Sequence, residues 1–289
     1  MNDPLAVIYN EGYWRVNKVS PMYDLQYSEL KLKQYATKIR QALVSDIATS
    51  SGSQMMVSIE SLPLLKYSHE DPNGLQITVS SCSKDRLKSN NKEVYVAILL
   101  SWGSFINVDD ETTHLPYMLE RGERRVGEAV KNTMQTVFDC IITLFNFTKV
   151  QLMEFVFNLL ENDTSKSSDS FVLRYKTPQV NFKDNITLTF EIGDVRAIWN
   201  GVKEVNNIDE GREKRSYAYQ ILQNQIYHMY KLDVTVLHLC EVGLPKAEVK
   251  SSGLVKMKTP EIINSVFNVL NGITHRLELT RQPILENSP

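Results

Sequence analysis

The chain has 289 residues, 42% of them hydrophobic and 23% charged, and its 32 Lys and Arg against 34 Asp and Glu give a formal net charge of −2. This composition supplies enough apolar material for a core and excludes disorder over most of the length. The near-zero charge excludes a polybasic protein that coats DNA with its whole surface, although it permits a local basic patch.

The N-terminus and the cysteines indicate the cellular compartment that the sequence predicts. The first twelve residues have no basic segment followed by a long apolar run, so the sequence predicts no secretory signal. The most apolar stretch, Cys140–Leu160, is interrupted by Lys149 and Glu154 and predicts a buried amphipathic helix rather than a membrane span. Three cysteines far apart in the sequence are typical of a reducing compartment. We therefore expect a nuclear or cytoplasmic protein.

The first half of the chain alternates predicted strands with one early helix. Residues 13–20 predict a strand that ends at Pro21, and Ser28 is placed to cap the helix that follows. The apolar stripe of this helix contains Leu32, Tyr35, Ala36, Ile39 and Leu43. Strands are predicted at residues 55–60, 75–80 and 93–106, with turn residues at 71–74 between the first two. The last strand is apolar on both faces, which predicts a central position in a sheet covered on both sides.

Helical periodicity begins again near residue 123. One helix is predicted from the stripe Val126, Val130, Met134, Val137 and Ile141, and a second from the cap Thr148 to Leu160. The polar segment 161–170 predicts an exposed loop or a boundary between lobes. Strands are then predicted at residues 171–175 and 186–191. Two helices follow, a short one carrying Val195 and Trp199 and a longer one with the stripe Tyr217, Ile221, Ile226 and Met229.

The C-terminal part predicts two more strands and a last helix. Leu232–Cys240 alternates as a strand, and in Leu254–Lys258 the residues Val255 and Met257 alternate with two lysines. Pro260 opens a helix that carries Phe267 and Leu270 on its apolar side. Because strands and helices come in blocks without a regular βαβ alternation, the sequence predicts an α+β fold with a mostly antiparallel sheet. We expect a single domain of residues 1–289, with any lobe boundary at 161–170.

No motif of an active site is found in the sequence. It has no P-loop, no dinucleotide-binding fingerprint, no nucleophile elbow, no His-Glu-x-x-His and no Cys-x-x-Cys pair, so we predict no enzyme, no metal and no cofactor. The five histidines lack metal-ligand spacing. Cys140 would be a nucleophile only beside a positioned histidine, and its place in an apolar stripe favours packing instead.

Clusters of Lys and Arg are more informative. Each is either a solvated surface or a contact with DNA phosphates, and one of them, Lys31, Lys33, Lys38 and Arg40, lies on the first helix. Aromatic residues are not interleaved with them, which favours duplex backbone contact over stacking on single strands. The candidates for DNA-backbone contact are Lys84, Arg86, Lys88, Lys92, Arg121, Arg124, Arg125, Lys256 and Lys258.

Three groups of sequence motifs, in this order along the chain, resemble those of a known family. The first is Trp14-x-Val16-x-x-Val19-Ser20-Pro21-Met22-Tyr23 with Tyr27-Ser28-x-Leu30-Lys31, and the second is Thr113-His114-Leu115-Pro116. The third is Ile186-x-Leu188-x-Phe190 followed by Asp194 and Ala197-Ile198-Trp199. Together they resemble the centromere protein L family over residues 5–279.

The resemblance implies a non-enzymatic subunit of the inner kinetochore, in the nucleus at the centromere. It implies a heterodimer with a centromere protein N-like subunit, contacts with other inner-kinetochore subunits, and a contribution to recognising centromeric chromatin and its DNA. The fold it implies is a large curved antiparallel sheet with helices packed on one face, joined to the partner through its C-terminal part.

A partner surface is predicted from the same C-terminal part. Leu254–Lys258 is short, alternating and rich in lysine, which is typical of an exposed edge strand. Such an edge either accepts a partner's strand or is guarded by lysine against aggregation. The predicted partner-binding residues, on this edge and on the last helix, are Val234, Val236, Leu254, Val255, Met257, Phe267 and Leu270.

The sequence leaves two alternative functions open. The first is a stand-alone, saddle-shaped DNA-binding protein whose concave sheet grips the duplex. Retardation of DNA by the single chain at about 150 mM salt would distinguish it from a heterodimer subunit. The second is an enzyme of unrecognised type, which would require a deep pocket with converging titratable groups.

Overall fold

The computed structural model describes residues 3–9, 12–46, 54–82, 92–104, 112–177, 185–205 and 211–279. The strands within these residues are β1 Tyr13–Val19, β2 Met22–Tyr23, β3 Gln54–Leu62, β4 Gly74–Cys82, β5 Lys92–Leu100, β6 Thr112–Thr113, β7 Tyr117–Gly122, β8 Ile142–Leu144, β9 Ser170–Lys176, β10 Asn185–Glu191, β11 His238–Leu244, β12 Ala247–Lys250 and β13 Leu254–Met257. The helices are α1 Ala6–Tyr9, α2 Glu29–Asp46, α3 Arg124–Phe138, α4 Lys149–Asn162, α5 Ile192–Lys203, α6 Arg212–Tyr230 and α7 Pro260–Leu279.

Backbone contacts divide the chain into two compact units. The first contains Tyr13–Phe145, and the second contains Ala6–Gly12 with the chain from Asn146 onward. In the first unit the strand order is β3-β4-β5-β7-β1, with β8 also paired to β1, and in the second it is β10-β9-β11-β12-β13. All strand pairs with a described register are antiparallel. The predicted α+β class with a large, mostly antiparallel sheet is confirmed.

The core of the first unit lies between its sheet and the helices α2 and α3. Both helices direct their apolar stripes at one face of the sheet, as the sequence predicts, except that Ala36 of the predicted α2 stripe is only half-buried and lies outside this core. The buried residues are Leu32, Tyr35, Ile39 and Leu43 from α2, Val126, Val130, Met134 and Phe138 from α3, and Leu75, Ile77, Val79, Tyr95, Ala97 and Leu99 from the strands. The ring of Tyr35 meets that of Phe138 edge-on at 4.9 Å between centroids, which ties the two helices together.

The central strand β5 is buried on both faces, as its continuous apolar run predicts. Every residue from Tyr95 to Leu100 is buried, and the neighbours of β5 are β4 and β7. The strand ends earlier than residue 106 because Trp102 and Gly103 both have positive φ, at 47° and 74°, which turns the chain. Residues 105 and 106 lie outside the described part.

In the second unit α4 is the central helix. It contacts β11 and β12 of the sheet and the helices α6 and α7. Its N-terminus is the predicted cap, since Thr148 and Gln151 each accept a hydrogen bond from the other's backbone N–H in a capping box. Phe157 of α4 stacks on Trp199 of α5 with ring centroids 4.8 Å apart. The predicted start of α7 at Pro260 is also confirmed.

The predicted strand Leu232–Cys240 is wrong over most of its length. Residues 231–237 form an irregular segment with a turn, and the strand β11 begins only at His238. The side chain of Asp233 accepts hydrogen bonds from the Thr235 backbone N–H (2.9 Å) and hydroxyl, and these two bonds lower the pKa of the Asp233 carboxyl. Such a local Asp turn competes with strand pairing, which the apolar alternation alone does not register.

The predicted stripe of α6 is wrong at both ends. Tyr217 and Met229 are exposed, whereas Ala218, Leu222 and Ile226 are buried. Ile141, predicted as part of the α3 stripe, is exposed because α3 ends at Phe138 with Asp139 in the left-handed conformation at φ 43°.

The polar segment 161–170 belongs to the second unit. Its turn is held by Asp169, whose Oδ2 accepts the Lys166 N–H at 2.9 Å. The single domain with a boundary at this segment stays a prediction.

Candidate interaction surfaces

The predicted DNA-contacting residues separate into three groups. Lys84, Arg86 and Lys88 lie outside the described residues. Lys92 and the three arginines belong to the first unit, and Lys256 with Lys258 to the second.

The fold brings Lys92, Arg124 and Arg125 together at one end of the first unit's sheet. Lys92 is the first residue of β5, and the two arginines form the first turn of α3. The backbone N–H of Glu123 donates to the carbonyl of Val94 at 2.9 Å, which fixes the start of α3 beside the start of β5. All three basic side chains are exposed, and no carboxylate in the described part of the chain forms an ion pair with either arginine. We call Lys92, Arg124 and Arg125 the basic end.

A glycine permits this junction between β7 and α3. Gly122 has φ 108°, a conformation that side chains rarely adopt, and a Cβ atom there would clash with the carbonyl oxygen of Val94. The close approach of the two backbones therefore depends on the absence of a side chain, and it sets the position of Arg124 and Arg125 relative to Lys92.

Arg121 differs from its neighbours in having its charge compensated. Its Nη2 lies 2.8 Å from Glu93 Oε1, and its guanidinium lies 5.1 Å from the centroid of the buried Trp14 ring. A carboxylate and an aromatic face thus hold the group in place. It is less suited to phosphate contact than the arginines of the basic end.

The two predicted DNA-contacting lysines of the second unit, Lys256 and Lys258, also have partners within the chain. Lys256 lies opposite Glu248 in the β12–β13 pair, with Nζ 3.7 Å from Oε1. Lys258 Nζ donates to the carbonyl of Pro245 at 2.8 Å. Both side chains therefore stabilise their own sheet.

The prediction that Leu254–Lys258 is a half-exposed strand open to a partner is wrong at Val255 and Met257. Leu254–Met257 forms the strand β13, but these two side chains have 0% exposed surface. The alternating Lys256 forms a cross-strand ion pair with Glu248.

Most of the predicted partner-binding residues belong to the chain's own core. Val234, Phe267 and Leu270 are as buried as Val255 and Met257. Only Leu254, which is half-buried, and Val236, which is 69% exposed, present a side chain to solvent. A role in binding a partner stays a prediction for these two.

A different exposed apolar surface lies at the terminal strand β10 of the second unit. Within the described residues β10 pairs only with β9, and Phe190 near its end lies 6.4 Å, centroid to centroid, from Tyr230 of α6. Tyr227, Met229 and Tyr230 in the last turn of α6 are 51%, 62% and 49% exposed. Tyr227 and Tyr230 are spaced i, i+3 and share one side of the helix, whereas Met229 lies on another side. We call Phe190, Tyr227 and Tyr230 the tyrosine surface.

Sequence reasoning missed the tyrosine surface because it considered only the apolar stripe of this helix, which it extended to Met229. A signal was available: the last turn of the helix has two tyrosines and a methionine within four residues, more large apolar side chains than one buried stripe can hold. Clustered exposed apolar side chains of this kind mark interaction sites, whereas scattered ones do not.

Features relevant to catalysis are few. Burial raises the pKa of the Cys140 thiol to about 11, which disfavours the nucleophilic thiolate. The described residues contain no group of three or more His, Cys, Asp or Glu that could hold a metal. A cavity of about 140 Å³ lies between α4 and α6 of the second unit. It is smaller than the usual small-molecule site, and Glu154 on its wall is already paired with Arg276 at 2.6 Å.

Among the described residues, no helix combines the length and apolarity needed to cross a bilayer.

Two comparisons with known proteins agree. The family profile described as Centromere protein L matches residues 8–281. The curated protein "Centromere protein L" of Xenopus tropicalis is 21% identical over 292 residues, an alignment that covers 93% of this chain and 80% of the relative. The family match spans nearly the whole chain, including both units and every element from β1 to α7. The chain therefore belongs to the centromere protein L family.

Proposed function

We propose that this chain is a non-enzymatic subunit of the inner kinetochore that forms a heterodimer with a centromere protein N-like partner. The heterodimer helps to anchor the constitutive centromere-associated network on centromeric chromatin during chromosome segregation. The observation that carries the proposal is the family match over residues 8–281.

The coarser part of this function follows from membership of the family. The chain is a centromere protein, and its location is the nucleus, at the centromere and kinetochore.

The tyrosine surface with the outer side of β10 is the site proposed for the partner. A terminal strand offers backbone N–H and C=O groups to an incoming strand, and adjacent exposed aromatic side chains add the buried apolar contact that anchors an interface. β10 alternates exposed Thr187 and Thr189 with less exposed Ile186, Leu188 and Phe190, so a partner strand would meet both a polar and an apolar face.

The decisive experiment is co-purification with the partner. Tyr227→Ser together with Tyr230→Ser removes exposed apolar area without touching the buried core, so folding is expected to be unchanged. When the chain is co-expressed with the centromere protein N-like subunit, the double variant is expected to lose the joint peak in size-exclusion chromatography.

The matched control is Leu64→Ser together with Ile141→Ser. These two side chains are more exposed than the first pair and belong to the first unit. The control is expected to keep the complex, and circular dichroism verifies that both double variants are folded. A joint peak that survives the tyrosine-surface variant would exclude this surface. Failure of the wild-type chain to co-purify would contradict the heterodimer itself.

A further inference from the structure

A groove between α2 and β3 borders the other terminal strand, in the first unit. β3 pairs with β4 on one side, and no described strand pairs with it on the other. The cavity has a volume of about 350 Å³. It is lined by Lys33, Ala36, Thr37 and Arg40 from α2 and by Met56 and Val57 from β3.

The four helix residues form one stripe along α2. They are spaced i, i+3, i+4 and i+7, which places them on the same face of a helix. Val44 continues the stripe by one turn and is exposed. Because α2 packs on β3, a further strand added at the outer side of β3 would lie beneath this stripe.

The strand side of the groove is suited to an extended occupant. The side chain of Val57 packs with Met55 and Ile59 on the core of the first unit, whereas Met56 on the opposite face is exposed. No strand of the described residues uses the backbone groups along the outer side of β3, so a partner strand could form a ladder of hydrogen bonds with them. A long alternating strand with an unpaired side and an overhanging helix is the geometry by which sheets accept an added strand.

The charge of the groove selects the chemistry of the occupant. Lys33 is paired only with Glu29 of the same helix, at 2.6 Å, and both side chains are more than two-thirds exposed. An exposed pair of this kind contributes little and is easily exchanged. Arg40 is exposed and forms no ion pair with a carboxylate among the described residues. The α2 side of the groove therefore carries two positive charges, Lys33 and Arg40, which are about 10 Å apart along the helix.

We propose that this groove binds an extended acidic segment of a partner protein, which adds a strand to β3. Its recognition pattern is acid–x–apolar–x–acid. The three pattern residues share one face of the added strand, with the apolar one against Ala36 and the acidic ones beside Lys33 and Arg40. This surface lies in the first unit and its existence does not depend on the heterodimer proposed above.

The probe is the peptide Thr-Glu-Thr-Val-Thr-Glu-Thr, added to the isotope-labelled chain. Binding is expected to saturate below about 1 mM and to slow hydrogen exchange of β3 amides. A peptide with lysine in place of glutamate tests the charge. A peptide with two adjacent prolines at its centre tests the backbone ladder, because proline cannot donate a hydrogen bond. Neither is expected to bind.

Charge reversal at the groove provides the second arm. Lys33→Glu with Arg40→Glu is expected to weaken the binding of the glutamate peptide by about ten-fold or more. The matched control, Lys31→Glu with Lys38→Glu, makes the same change of charge on the same helix but outside the groove lining, and is expected to change affinity by less than about two-fold.

Three outcomes would overturn the proposal: no saturable binding of the glutamate peptide, equal weakening by both double variants, or binding without protection of β3. Loss of duplex DNA binding in the Lys33→Glu, Arg40→Glu variant, with no peptide protection of β3, would identify a phosphate-binding surface instead.

Discussion

At the scale of single residues, Glu120 is a buried carboxylate kept in its charged form. It is 1% exposed, yet its Oε2 accepts the hydroxyl of Tyr95 at 2.8 Å, and its Oε1 lies 3.3 Å from Lys131 and 3.4 Å from Arg15. Burial opposes ionisation, but the Tyr95 hydrogen bond and the Lys131 charge outweigh it, so the pKa of Glu120 is lowered. Burial and the neighbouring Glu120 charge raise the pKa of Tyr95, which therefore remains the donor.

The same cluster explains why α3 carries a glycine. A Cβ atom at Gly127 would lie 2.7 Å from a ring carbon of Tyr95 and 3.1 Å from Glu120 Oε2. The absence of a side chain lets the helix approach the sheet closely enough for Lys131, one turn further on, to reach the carboxylate.

Glu120→Gln is expected to destabilise the chain by about 2 kcal/mol at neutral pH. It leaves Arg15 without its counter-charge and Lys131 with Glu128 alone, although both basic side chains still reach water. Because the folded-state pKa is lowered, the stabilisation is present above the unfolded value of about 4.3 and is lost as the pH falls through the folded value. Urea unfolding of wild type and variant should thus differ at about pH 7 and converge in acid.

The control is Glu128→Gln, which removes a half-exposed carboxylate paired with the same Lys131 at 3.1 Å. A change within about 0.5 kcal/mol is expected for it, with little dependence on pH. Equal destabilisation by the two variants would mean that burial of Glu120 has no energetic consequence.

At the scale of elements, β13 shows what an alternating pattern does and does not specify. The alternation of Val255 and Met257 with lysines correctly predicts a strand with one buried face. It carries no information about how many strands lie beside it, because backbone hydrogen bonding is independent of side-chain identity. Lys256 faces Glu248 across the pair, so a pattern typical of an edge occurs in a strand whose Val255 and Met257 side chains are fully buried.

Met257→Ala is expected to lower the free energy of unfolding by about 2–5 kcal/mol, the usual result of deleting a buried Met side chain. Lys256→Ala, the matched substitution at the next residue, should cost no more than about 1 kcal/mol because it removes only a partly exposed ion pair. Thermal or urea unfolding of the two variants measures the difference. If Met257→Ala were as mild as Lys256→Ala, the Met257 side chain would not be part of the core.

At the scale of the whole molecule, the net charge of −2 conceals an uneven distribution. The basic end has three exposed cations in one region of the first unit, while acidic residues elsewhere compensate for it. A nearly neutral protein gains little non-specific attraction to DNA, so contact with phosphate is expected to become effective only when a partner adds further cations.

Arg124→Glu with Arg125→Glu is expected to weaken duplex DNA binding by the heterodimer. The slope of log affinity against log salt should become shallower by about 2, one unit for each lost phosphate contact. The isolated wild-type chain should bind poorly at about 150 mM salt. Electrophoretic mobility shift or fluorescence anisotropy at several salt concentrations measures both quantities.

Lys166→Glu with Lys176→Glu is the matched control, since it makes the same sign of charge change at exposed positions of the second unit. It should leave the slope unchanged. A slope that does not change for the arginine pair would remove the basic end from the proposal, and tight binding by the isolated chain would favour the stand-alone DNA-binding function.

The sequence by itself determined the parts of this protein that depend on near neighbours along the chain. The stripe of α2, the cap at Thr148, the start of α7 and the antiparallel α+β class follow from periodicity and local hydrogen bonding. Tertiary structure alone decided that β7 is a central strand, because Tyr117–Gly122 buries Glu120 and shows no regular alternation. It also decided that Val255 and Met257 of β13 are buried and that, within the described residues, no strand pairs with the outer sides of β3 and β10. Strand order is set by backbone hydrogen bonds between residues far apart in the sequence. These bonds do not depend on which side chains the residues carry, so the amino-acid sequence does not reveal them.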